Sequence, residues 1–145
     1  MEKEILTIRK FAHPPELVFK AWSDPDHLKN WFGPKGFTNT FYEFDFCAGG
    51  KWRFDMHGPD GKNYPNESHF VEIIPNQKIV FDHVVLPHFR AVITFEDEGG
   101  KTKVTFRQIF NDSETCHKVS RYAIPANEEN MDKLGVQLER MAVKK

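Results

Sequence analysis

The sequence predicts an α+β domain. A curved, seven-stranded antiparallel sheet wraps around one long C-terminal helix, and two short helices follow the first strand. Three observations predict it. From Phe37 to Phe110, apolar and polar side chains alternate in runs broken by short Gly-, Pro- and Asn-containing turns, the mark of an antiparallel meander. Met131, Leu134, Leu138 and Met141 fall at i, i+3, i+7 and i+10, one face of an amphipathic helix. Pro14-Pro15 and Asp24-Pro25 each open a short apolar run at helical spacing.

Taken in order, Ile5 to Phe11 reads as the first strand, ended by His13-Pro14-Pro15. Leu17, Val18, Ala21 and Trp22 then give one helix its apolar stripe. Asp24 caps a second helix, with Pro25 at its first position; Leu28, Trp31 and Phe32 form its stripe and Gly33-Pro34 stops it. Phe37 to Phe46 is the next strand. Gly49-Gly50 lets the chain bend into Lys51 to Met56, where Trp52, Phe54 and Met56 share one face; Gly58-Pro59-Asp60-Gly61 is the turn that follows. Asn63 to Ile74, Ile79 to Leu86, Phe89 to Glu96 and Lys101 to Phe110 complete the meander, with turns at Pro75–Lys78, Pro87-His88 and Asp97–Gly100. The stretch Asn111 to Ala123 carries no single period. Pro125 is the expected start of the terminal helix. Gly135 falls inside that helix at about 1 kcal/mol relative to Ala and reads as a close-packing position.

At 145 residues the chain is of one-domain size. Twenty basic and 21 acidic side chains leave a formal net charge of −1, so there is no basic excess to hold a nucleic-acid backbone or an anionic membrane. No apolar run approaches the ~18 residues of a spanning helix, and no signal peptide is expected. Cys47 and Cys116 stand far apart in no metal-binding spacing, which predicts reduced thiols and a cytoplasmic location. Fourteen Phe, three Trp and three Tyr supply an aromatic excess suited either to a dense core or to the wall of an apolar pocket.

The series Pro14-x-Glu16-x-Val18-Phe19-x-Ala21-Trp22, Asp24-Pro25, Trp31-Phe32-Gly33-Pro34, Gly49-Gly50-x-Trp52-Arg53-Phe54 with Pro59-Asp60-Gly61, and Glu72-Ile73-x-Pro75 resembles one family across nearly the whole chain. It is the single-domain bacterial branch of the activator-of-heat-shock-protein-90-ATPase-like proteins, within the START-like (SRPBCC) superfamily. The resemblance implies a helix-grip (Bet v 1-like) fold and one START-like domain over residues 1–145. It also implies a small hydrophobic guest, lipid-like or aromatic polyketide-like, between the sheet and the terminal helix. Some relatives are enzymes of the aromatase/cyclase kind, so a cyclase, dehydratase or hydrolase is the alternative. Chaperone contact is the weaker implication. The eukaryotic activators carry an additional N-terminal domain with an Asn-rich Trp-His-Trp motif, and this sequence is read as starting directly with the START-like domain. One departure concerns the helix: Glu129-Asn130-Met131 stands where many relatives have Glu-Gly-Trp.

No nucleophile elbow, zinc-protease, Cys-x-x-Cys, dinucleotide or phosphate-loop motif is present, so no catalytic residue is assigned and no cofactor is expected. Histidine is abundant, with seven copies. Centring a hairpin on Asn76 sets His69 opposite His83 and Val71 opposite Phe81, with His57 one strand over. Two adjacent rings fall short of the three or four ligands zinc needs, so no metal site is expected and the rings read first as surface or core histidines satisfied by neighbours, with acid–base use the alternative; a one-residue bulge would turn either ring to the other face. Gln108 shares the phase of Val104, Phe106 and Phe110; it, Arg90 and Glu72 are candidates to point inward and meet a guest, the competing reading being that they pair with each other or face solvent. The pocket-lining candidates are Trp31, Phe32, Trp52, Phe54, Met56, Phe70, His83, Phe95, Phe106, Gln108, Met131, Leu134 and Leu138. For the aromatic ones, core packing is the competing reading. The expected partner is a small hydrophobic molecule, with neither nucleic acid nor membrane insertion.

Overall fold

Strand β1 (Glu4–Phe11) shows how side-chain alternation builds this fold: Ile5, Thr7 and Phe11 are buried while Leu6 and Ile8 stand in solvent. The computed structural model describes residues 3–33, 36–85 and 87–143. Met1 and Glu2, Pro34 as the expected helix stop and Leu86 as the expected strand end lie outside the described residues.

Two short helices follow. Helix α1 (Pro15–Ser23) begins with Pro at its first turn, where the missing N–H costs nothing, and buries Val18, Phe19, Ala21 and Trp22. Helix α2 (Pro25–Trp31) is capped by Asp24, whose carboxylate accepts from the Asp26 N–H at 2.9 Å. The Trp31 indole N–H donates to the Ala21 carbonyl at 3.0 Å, which locks α2 onto α1.

Six more strands follow: β2 (Thr38–Phe44), β3 (Lys51–His57), β4 (Asn63–Ile74), β5 (Lys78–His83), β6 (Phe89–Asp97) and β7 (Thr102–Ile109). They form an open, fully antiparallel sheet in the order β1-β7-β6-β5-β4-β3-β2. At the entry to β3, Gly50 is required. A Cβ there would lie 2.0 Å from the Asp45 carbonyl oxygen, so only glycine lets the two backbones approach. Bulges interrupt β2 between Phe41 and Glu43 and β4 between Phe70 and Glu72.

The chain closes with α3 (Ser113–Val143). It starts twelve residues before the expected Pro125, which lies inside it, exposed to solvent. The start is set by Asp112, whose carboxylate accepts from the Thr115 N–H at 2.7 Å and from its hydroxyl at 3.0 Å. These bonds hold the Asp112 carboxyl below the usual range. The buried residues Cys116, Val119, Ala123, Asn127, Met131, Leu134, Leu138 and Met141 keep helical spacing straight past the proline. Arg9 ties β1 to this helix through Glu128 at 2.6 Å and Asp132 at 2.9 Å.

The core divides in two. The larger part packs Trp22, Trp31, Trp52, Phe70 and Phe95 with Met131, Leu134 and Leu138. The smaller part joins Ile5 and Phe110 to Cys116, Val119 and Ala123 at the start of α3.

Candidate functional site

Between these two clusters the sheet and α3 do not meet fully. They leave a pocket of about 210 Å³. The sheet supplies Trp52, Phe54 and Met56 from β3, Asn66 and Ser68 from β4, Phe81 and His83 from β5, and Phe89, Phe106 and Gln108 from β6 and β7. The helix supplies Val119, Tyr122, Ala123, Ala126, Asn127 and Asn130, and Phe32-Gly33 and Pro87 close the remaining sides. Larger openings exist on the surface. The groove beside His88 and Arg90 is about 580 Å³ and the one between β1 and the start of α3 about 900 Å³, but exposed and charged side chains wall both. The pocket between sheet and helix differs because its lining is largely apolar and converges from both elements, with Trp52, Phe54, Phe81 and Phe106 buried, Phe89 and His83 half-buried and Tyr122 exposed.

Strand period places the aromatic wall. Trp52 and Phe54, two residues apart on β3, point inward and stack at 4.7 Å with planes 22° apart. Phe32 meets them at 5.1 and 6.0 Å. Its segment is held from two sides: the Asn39 side-chain amide donates to the Phe32 carbonyl at 2.6 Å and the Lys133 ammonium to the Gly33 carbonyl at 3.0 Å. Burial pushes the Lys133 pKa down. Gly33 adopts φ +109° and lies so close to Met56 that a Cβ would sit 3.1 Å from its methyl group, so this corner accepts only glycine without strain.

Val119 and Tyr122 apart, the helix-side wall is small and polar. Ala123 and Ala126 leave room, and Asn127 and Asn130 bring amides into it. The Asn127 Nδ2 donates to the Gln108 Oε1 at 2.8 Å, so the buried glutamine predicted on the apolar wall does face inward, and its partner is on α3. Two buried polar atoms of lining residues have no hydrogen-bond partner within the protein: the Trp52 indole Nε1 and the Asn130 Oδ1.

His83 is the histidine of this wall. Its ring stacks on Phe89 at 4.8 Å and 16°. Nδ1 lies 2.8 Å from the Pro87 carbonyl, which can only accept, so this nitrogen carries the proton. Nε2 lies 2.9 Å from the Asn66 Oδ1, and the nitrogen of that amide donates to the Tyr64 carbonyl at 3.0 Å. Burial, chiefly, pushes the His83 pKa below its ordinary value, and the positive charge of a protonated His88 adds to this.

The predicted pairing of His69 with His83 is not formed. The β4 bulge leaves Val71 unpaired, so Phe70 faces Phe81, Ser68 faces His83 and His69 faces Asp82. His69 therefore turns to the outer face and bonds Glu67 at 2.6 Å. His57 is an outer-face residue too, between Thr40 and Asn63. Arg90 and Glu72, predicted as candidates to point inward, form outer-face ion pairs with Asp82 and Lys78. Among the described residues, no group of three or more His, Cys, Asp or Glu gathers as metal ligands would.

Of the residues singled out from sequence, Phe32, Trp52, Phe54, Met56, His83, Phe106 and Gln108 border the pocket. Trp31, Phe70, Phe95, Met131, Leu134 and Leu138 do not; they fill the larger core cluster. Ser68, Phe81, Phe89 and the whole α3 wall were not anticipated.

A sheet gripping a long C-terminal helix, with an interior pocket between aromatic strands and a small-residue stretch of that helix, defines a helix-grip protein of the START-like class. The chain belongs to the family of activator of Hsp90 ATPase homolog 1-like proteins, whose model matches residues 12–139. Its fold is shared with a Nitrosomonas europaea protein at 21% identity, with 95% of each chain covered and a TM-score of 0.87. An Arthrobacter aurescens protein solved by NMR is similar at 22% identity over 95% of this chain and 87% of that one, TM-score 0.89. A Mycobacterium smegmatis protein follows at 21%, covering 92% and 89%, TM-score 0.83. At such identities the likeness is one of fold. No curated protein matches the chain. Folds of this kind commonly hold hydrophobic ligands, and no helix among the described residues is long and apolar enough to cross a membrane.

Proposed function

We propose that this protein binds a small hydrophobic molecule in the pocket between its sheet and α3. The observation that carries the reading is the convergence of the buried Trp52, Phe54, Phe81 and Phe106 on about 210 Å³ of space between sheet and α3 that Ala123 and Ala126 leave unfilled. A packed interior leaves few voids larger than a water molecule, so a space of this size lined by aromatic rings is suited to a guest. Its size sets the scale. It exceeds the ~150 Å³ of an apolar cavity that holds benzene and falls short of the ~300 Å³ typical of drug-sized sites, so a single substituted ring fits better than a sterol or a two-chain lipid.

A cytoplasmic setting and a single domain belong to this reading; the free, exposed Cys47 thiol supports the first. The enzymatic alternative loses His69, Glu72 and Arg90 to the outer face and keeps His83 in the pocket wall. The test is an amide NMR titration with a mixed set of small apolar compounds, together with thermal melting. Binding should shift resonances of the lining residues and raise the melting temperature. Uniformly unchanged spectra and melting across the set would overturn the reading.

A further inference from the structure

The sheet has two edges, and only one is guarded. At β2 a bulge breaks the strand between Phe41 and Glu43, and the Asn39 side-chain amide ties it to the end of α2 through the Lys29 and Phe32 carbonyls. β1 has neither device. Its register with β7 runs unbroken from Glu4 to Phe11, it contains no proline, and no further strand lies beyond it among the described residues. An open edge of this kind is a template for another strand. We infer that β1 pairs antiparallel with β1 of a second copy of this chain, about a two-fold axis at Thr7, so that two sheets join into one.

The backbone sets which groups would pair. The Phe110 N–H donates to the Lys3 carbonyl at 2.7 Å, so Lys3, Ile5, Thr7, Arg9 and Phe11 spend their N–H and C=O groups on β7. Glu4, Leu6, Ile8 and Lys10 turn theirs to the free edge, where no hydrogen bond among the described residues takes them up. Helix α3 does not close over this edge. An open groove of about 900 Å³ runs between Lys3–Leu6 and the start of the helix, with Ile124 exposed in it.

The side chains of the same four residues are self-complementary in one register. About Thr7, Leu6 faces the partner's Ile8 and Glu4 faces the partner's Lys10. Leu6 and Ile8 are 54% and 45% exposed in the single chain, and the seam covers them with each other. Lysine usually blunts an edge, but here it meets an opposite charge. Glu4 already pairs with Arg107 and Lys10 with Glu98 at 3.4 Å. The seam joins these pairs into a row of alternating sign: Arg107, Glu4, the partner's Lys10, the partner's Glu98. A shift of two residues either way, the smallest that keeps the bonding pattern, separates Glu4 from Lys10 and shortens the ladder. Arg9 brings no free charge to the seam, since Glu128 and Asp132 hold it, and a net charge of −1 gives two copies little reason to repel. No β1 residue lines the pocket between sheet and α3, so the dimer stands or falls independently of guest binding.

Sedimentation equilibrium of the full chain at low salt, over about 1–500 µM, reads the association; a single-strand seam belongs to the small, transient interfaces, so a Kd on the order of 1–100 µM is expected. Glu4→Lys and Lys10→Glu should each weaken the dimer by about tenfold or more, because two symmetry-related pairs turn repulsive at once. Ile8→Asp, which touches neither ion pair, should weaken it likewise. All three positions lie on the outer surface, and thermal melting checks that each variant is folded. Mixed in equal amounts, Glu4→Lys and Lys10→Glu should associate as the wild type does, because every seam pair then carries one charge of each sign. A wild type that stays monomeric to about 500 µM overturns the inference. So does a dimer undiminished in all three variants, which would place the interface elsewhere. Species larger than a dimer would rule out the two-fold seam, and a mixture as weak as its separate components would rule out the register that sets Glu4 against Lys10.

Discussion

The two halves of α3 meet the same sheet with different chemistry. Its C-terminal half presents Met131, Leu134, Leu138 and Met141, and these disappear into the larger core, with Leu134 and Leu138 fully inaccessible. The stretch before it presents Val119, Tyr122, Ala123, Ala126, Asn127 and Asn130, of which only Tyr122 is large and that one is exposed, and here the sheet stays uncovered enough to leave a pocket. One element thus does two jobs along its length. The long aliphatic side chains anchor the grip, so the other half can stay under-filled without loss of the fold.

The largest expected effect is at the anchor. Leu134→Ala removes a fully buried side chain from a well-packed site and should cost about 2–5 kcal/mol in chemical denaturation. A cost below about 1 kcal/mol would mean that the C-terminal half is as loosely filled as the other, and the contrast would collapse.

The reverse substitution probes the other half. Ala126→Leu should project into existing space, so it avoids most of the ~1–3 kcal/mol that overpacking usually costs, while small-molecule binding falls by more than about tenfold. Melting, and titration with a compound that binds the wild type, read both outcomes on one sample. A large loss of stability with binding intact would show that the pocket lies elsewhere.

The His83 wall gives the pocket half a pH dependence. Unfolded, this ring takes up a proton near its ordinary value of 6.5; folded, burial holds its pKa lower. Between the two, the unfolded chain binds a proton that the folded chain does not. Stability is therefore complete above about pH 6.5, falls as pH drops below it, and levels off beneath the folded pKa. The difference in unfolding free energy between wild type and His83→Phe, followed from pH 8 to pH 5, should show this slope. A flat difference would mean that the ring is no more buried than the outer-face histidines.

The contrast between the halves also explains what could be read from the sequence. Strand alternation placed Trp52, Phe54 and Gln108 on the inner face, because β3 and β7 keep a period of two with no bulge at these residues. It could not separate Trp52 from Phe70, or Phe106 from Phe95. These share a face and differ only in position along the groove, which depends on where α3 lies. The N-terminal half of α3 was invisible for the reason that makes it functional. Asn127 and Asn130 interrupt the apolar period, and Pro125 resembles a first-turn residue although its exposed position tolerates it inside the helix. The Asp112 cap was the available signal, standing just before Ser113. The β4 bulge has no such signature: no Gly or Pro marks Val71, and that one extra residue moved His69 to the other face.

The smallest expected effect sharpens the packed half. Gly135 sits there among buried neighbours, yet an added Cβ would meet nothing nearer than the Phe11 ring edge at 3.8 Å, an ordinary contact distance. Close packing therefore does not demand glycine at this position. Gly135→Ala should raise stability by about 1 kcal/mol, the helix-propensity difference, with ligand binding unchanged because the site lies outside the pocket wall. Thermal and denaturant unfolding measure it. A loss of stability would show that β1 and α3 pack more tightly at Phe11 than 3.8 Å implies, and that the anchoring half tolerates not even a methyl group.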